Sequence, residues 1–123
     1  MYKRQAYTAI EAVFHVFRRR LSAQEGLDFA SVLPSIPRAI FVAGWKLESG
    51  VAFGPRAELV AEVQAFRPHH NLTPGTAVEA VSRALRRHMD QRDLDRVLER
   101  LPEGAAEFWD PLCDRAELVQ QVI

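Results

Sequence analysis

Apolar residues recur along this chain at three- and four-residue intervals, the period of helices that bury one face. Ile10, Val13, Phe14, Phe17 and Leu21 fall on one stripe, and Val78, Val81, Leu85 and Met89 on another. Each stripe follows a start signal, Thr8-x-x-Glu11 and Thr76-x-x-Glu79, in which the hydroxyl accepts the third backbone N–H and the carboxylate reaches back to the cap. Ser22-x-x-Glu25 and Asp90-x-x-Asp93 predict second helices after tight turns. These end at Leu33-Pro34 and Leu101-Pro102, because proline disfavours the helical conformation in the residue before it. Short helices are expected over 36–43, closed by Gly44 in the left-handed conformation, and over 103–109. Last helices are expected over 55–66, with Pro55 in the first turn, and over 114–123, opened by Asp114-x-x-Glu117. No segment sustains the alternation of a strand, so no sheet is expected.

The pattern repeats. A shift of 68 positions lays residues 8–41 on 76–109 without a gap. Thr8, Ala9, Glu11, Ala12, Val13, Arg18, Arg19, Leu33 and Pro34 recur as Thr76, Ala77, Glu79, Ala80, Val81, Arg86, Arg87, Leu101 and Pro102. Arg56-Ala57-Glu58-Leu59-Val60 then recurs as Arg115-Ala116-Glu117-Leu118-Val119 at a shift of 59, so the first copy carries about nine extra residues, placed within 44–55. The fold expected is a single all-α domain of about eight short helices. It is read as two tandem four-helix repeats, 8–66 and 76–123, related by pseudo-twofold symmetry and joined by a Pro- and Gly-containing linker over 67–75. A unit of about 50 residues buries too little surface to stand securely alone, which favours one shared core.

Composition narrows the function classes. The 123 residues are 48% hydrophobic, and sixteen Lys and Arg balance sixteen Asp and Glu, so no overall field draws the chain to nucleic acid or an anionic membrane. No apolar run reaches the ~18 residues of a spanning helix. The basic, amphipathic first twenty residues superficially suit a targeting segment, but their recurrence in the second half reads as fold. The single cysteine, Cys113, excludes an internal disulfide and a cysteine-rich zinc site, and leaves a reducing cytoplasm as the expected compartment.

Few residues carry chemistry. Arg18, Arg19 and Arg20, with Arg86 and Arg87, are a candidate pair of phosphate-contacting patches. The simpler reading is cations in last helical turns, complementing the helix dipole. His69-His70 lacks a third metal ligand, and Cys113 lacks a histidine partner, so no metal, cofactor or catalytic residue is expected. His15 lies opposite the apolar stripe. Trp45 and Trp109 either close the core or stand half exposed as partner anchors. Loops carry function more often than scaffold, so the extra segment 46–55 after Trp45 is the place for added function. There Trp45, Val51 and Phe53 are the candidate contact surface, for a protein partner or a second copy of the chain.

Leu33-Pro34, Phe41, Gly44-Trp45, Glu58-Leu59, and Leu101-Pro102 with Phe108-Trp109 together resemble a widespread bacterial family of small helical proteins catalogued only as a conserved domain of unknown function. The resemblance spans about residues 6–111, with departures at Val42 and over 50–54. It implies an all-helical, cytoplasmic bacterial protein and supplies no activity or cofactor. The expected function is therefore a non-enzymatic protein–protein interaction module. A nucleic-acid-binding module built on the arginine clusters is the alternative, and an enzyme with an unrecognised site is the second alternative.

Overall fold

A computed structural model describes residues 2–48, 51–66 and 76–118. Among these residues the secondary structure is helical, without strands. The elements are α1 (Tyr2–Arg18), α2 (Ala23–Ser31), α3 (Ser35–Val42), α4 (Arg56–Ala65), α5 (Ala77–Arg87), α6 (Gln91–Arg100), α7 (Ala105–Phe108) and a 3-10 turn at Arg115–Glu117. The expected linker 67–75, with His69 and His70, lies outside the described residues.

The strongest cap forms as read. Glu25 N donates to Ser22 Oγ at 3.2 Å, and Ser22 N donates to Glu25 Oε1 at 2.8 Å. Asp90 caps α6 without its box, accepting from Arg92 N at 2.9 Å and not from the third N–H, that of Asp93. Two expected starts are corrected. Thr8 lies inside α1, because residues 2–7 contain no proline or glycine and are mostly good helix formers, so the helix runs past the signal. Thr76 precedes α5 with ψ of 6°, not the extended backbone that aims a cap hydroxyl, and makes no side-chain cap bond. Pro55 is the residue before α4, not inside its first turn. Of the helix expected over 114–123, the described part is only the 3-10 turn. Asp114 Oδ1 accepts from Ala116 N two residues on, a turn geometry that competes with a helix, and Leu118 leaves helical φ/ψ. Gly44 adopts φ of +63°, as a left-handed helix terminus requires.

Helix α1 packs on α3, α4 and α5, while α2 packs on α3 and α6, and α7 closes against α4 and α6. The core they enclose is aromatic. Trp109 is fully buried, with ring centroids 5.4 Å from Phe17, 5.6 Å from Phe29, 6.0 Å from Phe14 and 5.5 Å from Phe108. Leu33 and Leu101 are both buried. His15 is half-buried, its ring centroid 4.6 Å from that of Phe66 at the end of α4 and tilted by 40° to it.

Candidate functional site

Three regions bear on function: the arginine clusters, the segment after Trp45, and a groove that sequence reasoning missed.

The arginines turn inward. Arg18 is 3% exposed; its Nη1 donates to Phe41 O at 2.8 Å and Ala43 O at 2.9 Å, terminal carbonyls of α3 that the helix itself leaves unpaired. Its guanidinium lies 5.9 Å over the Trp45 ring. Arg86 is fully buried and donates from Nη2 to Trp109 O at 3.2 Å, from Nη1 to Asp95 Oδ1 at 3.0 Å and from Nε to Ser82 Oγ at 3.3 Å. Burial pulls both guanidiniums below the ordinary arginine value. The charge of Glu11 opposes this at Arg18, and Asp95 opposes it at Arg86. The signal for this placement was present: Arg18 follows Phe14 by four residues and Arg86 follows Ser82 by four, each on a buried face. The apolar stem of arginine tolerates such a position when its head finds carbonyls.

Arg19 pairs with Glu48 at 3.2 Å and with Glu62. Arg20 pairs with Glu62 at 2.7 Å and donates to Val16 O and Ala52 O. Arg87 is half-buried. Of the five arginines expected as phosphate-contacting patches at 18–20 and 86–87, Arg18 and Arg86 are thus enclosed, and Arg19 and Arg20 are paired with carboxylates. Burial raises the Glu62 carboxyl, but hydrogen bonds and charge from Arg20 and Arg19 outweigh it and hold the group below the ordinary glutamate range. A carboxyl depressed in the folded state contributes stability at pH values above its unfolded pKa, and loses it as pH falls through the folded value. Wild type is thus expected to exceed Glu62→Gln by about 1 kcal/mol at neutral pH, the usual ceiling for partly exposed pairs. Urea titrations from pH 7 downward should show that advantage vanish in acid.

Trp45 and Phe53, on either side of residues 49–50, both lie against glycines. The Trp45 ring covers Gly26 so closely that a Cβ there would lie 2.0 Å from it, and it sits 5.4 Å from Phe41. Phe53 packs 5.7 Å from Phe17 and against Gly104, where a Cβ would meet it at 2.7 Å. The Arg19–Glu48 pair and the Arg20–Ala52 bond tie Glu48 and Ala52 to the residues after α1. Trp45, Val51 and Phe53 are each half-buried, and Trp45 and Phe53 pack against the core. Of the three residues expected at a contact surface, Trp45 lies against Gly26 and Phe53 against Gly104.

An open apolar groove lies elsewhere. Ile10 of α1, Pro34, Ile36 and Pro37 at the start of α3, Val81, Ala84 and Leu85 of α5, and His88 just after it line a groove of about 500 Å³. Ile36 stands on its rim, 72% exposed. Pro34 and Pro37 bracket it and stiffen that wall. In sequence these residues lie in three separate segments, so no local pattern announced the groove.

Residues 2–108 match the family model described as an uncharacterized conserved protein, DUF2267. The chain belongs to that family. The DUF2267 match starts with the first residue of α1 and ends with the last residue of α7, so the family unit spans the α-helices of the described residues, groove and both buried arginines included. The resemblance to a domain of unknown function holds. No curated protein matches the chain. Among the described residues no helix is long and apolar enough to cross a membrane.

Proposed function

We propose that this DUF2267 chain is a non-enzymatic protein-interaction module that docks an apolar segment of a protein partner in the α1–α3–α5 groove. The observation that carries the reading is Ile36, a large apolar side chain left in water on the rim of a concave apolar surface. Exposed apolar patches of this kind mark contact sites. A wall stiffened by two prolines lowers the ordering cost of binding. The interaction role is thus assigned to this groove, and not to Trp45, Val51 and Phe53. A reducing cytoplasm fits the lone, half-buried Cys113.

Ala84 lines the groove from the exposed face of α5, so Ala84→Arg fills it with a charge without entering the core. Ala84→Arg and Ile36→Asp are both expected to keep the parent's helical circular dichroism and to lose at least about tenfold in partner capture from nuclease-treated lysate. Capture unchanged in both variants overturns the groove. Capture abolished by nuclease favours the nucleic-acid alternative.

The two-copy reading of the fold is also ours. Arg18 and Arg86, 68 positions apart, each donate to the carbonyl of residues that are again 68 apart, Phe41 and Trp109. Ser22 and Asp90 cap the next helices at the same shift, and Leu59 and Leu118 are buried at the shift of 59. Equivalent residues doing equivalent work support an ancestral duplication with pseudo-twofold symmetry.

A further inference from the structure

Building on the reading of the α1–α3–α5 groove as a docking site, we propose that its occupant is an amphipathic helix of a protein partner, with aliphatic anchors at three- and four-residue spacing and a carboxylate beside them.

The form of the occupant follows from what the walls offer. A peptide that docks by adding a strand needs a sheet edge, and the described residues contain no strand. A proline-rich segment docks between aromatic side chains, whereas these walls are aliphatic side chains and prolines, with the His88 imidazole their only aromatic ring. A phosphorylated segment needs a cluster of arginines, and no arginine lines the groove. An aliphatic trough between three helices suits the apolar stripe of a fourth, read as anchors at i, i+3 or i+4 and i+7. Ile36, 72% exposed on the rim, is the side chain such a stripe would cover.

The charge of the occupant follows from the groove's borders. No carboxylate lines it. Helix α3 opens there on Pro34 with no side-chain cap, and Pro37 has no N–H, so the first donors of the helix, Ser35 N and Ile36 N, have no side-chain acceptor. They carry the positive end of an eight-residue helix to the groove. On the α5 side, His88 lines the groove and is exposed. Arg87, one turn after Ala84, pairs with no carboxylate among the described residues. Asp90, two positions beyond His88, caps α6 and pairs with Arg92 at 3.0 Å, and the charge of Glu11, next to Ile10, acts on Arg18. An acid on the docked helix therefore meets donors and a cation, while a lysine in its place meets like charge.

The test pans a phage-displayed library of random peptides of about 16 residues, a little over four helical turns, against the full chain. The enriched peptides are expected to share apolar residues three and four apart with Asp or Glu beside them, and a synthetic copy of the most enriched one is expected to gain helical circular dichroism on binding. By fluorescence anisotropy its affinity should fall at least about tenfold for Ala84→Arg, which fills the groove. It should fall about three- to tenfold for Ser35→Glu and for His88→Glu, both at exposed positions, and exchanging the peptide's acid for lysine should restore binding to His88→Glu. Ser35→Glu places an acid in the first turn of α3, where the helix itself favours one, so weaker binding there is not a loss of fold. Peptides indifferent to Ala84→Arg bind elsewhere and overturn the groove together with this proposal. Peptides that need the groove but carry no acid, that ignore both Glu variants or that stay unfolded when bound overturn the acidic helix and leave the groove standing. A selection that enriches nothing overturns the acidic helix as well.

Discussion

Arg86→Ala is expected to cost about 2 to 4 kcal/mol, while Arg87→Ala, one residue on, stays within about 0.5 kcal/mol. The difference is placement, not chemistry. Arg86 fills a fully enclosed volume between α5, α6 and the end of α7, and its charged head supplies three hydrogen bonds at once. Truncation opens a cavity and leaves Ser82 Oγ and Trp109 O with one partner each where they had two. Asp95 keeps Arg115 at 2.8 Å, which is why the loss stays short of that for a stranded buried ion. Arg86→Lys recovers part of the volume but cannot make the forked contacts, so it is expected to fall between alanine and wild type. Urea denaturation of the three variants measures the order. If the two halves are copies, Arg18→Ala behaves as Arg86→Ala does, since it too strips cations from helix-end carbonyls.

Trp109→Ala carries the largest expected effect, about 3 to 5 kcal/mol. Its ring meets Phe14, Phe17, Phe29 and Phe108, rings from α1, α2 and α7, so its removal empties the point where three helices converge. Trp45→Ala is expected to cost clearly less, because Trp45 is half-buried and its main support is one glycine and one phenylalanine ring. Trp109→Phe keeps most of the ring contacts and removes an Nε1 that is buried without a hydrogen-bond partner, so it is expected to recover much of the loss. Equal costs for Trp45→Ala and Trp109→Ala, by chemical denaturation, would mean that Trp109 is not the keystone of the core.

The two tryptophans show where sequence reasoning stopped. Both follow a short helix, and both offered the same choice between core and partner surface. Trp109 lies at the crossing of α1, α2 and α7, while Trp45 is drawn down onto Gly26, a residue nineteen positions earlier. Nothing local distinguishes those outcomes.

What the sequence by itself determined was the helical class, the start of α2 at Ser22, the stops at Leu33-Pro34 and Leu101-Pro102, the left-handed Gly44 and the apolar face of each main helix. These depend on interactions within about four residues, where spacing is geometry. Only the tertiary structure decided that Thr8 and Thr76 do not cap, that Arg18 and Arg86 turn inward while Arg19 and Arg20 meet Glu48 and Glu62, and that the open apolar groove lies between α1, α3 and α5. An arginine on a helix shoulder can reach water or a neighbour's carbonyl at similar cost, and which wins depends on what another helix presents to it. A groove exists only between elements, so its residues share a surface in space without sharing any pattern along the chain.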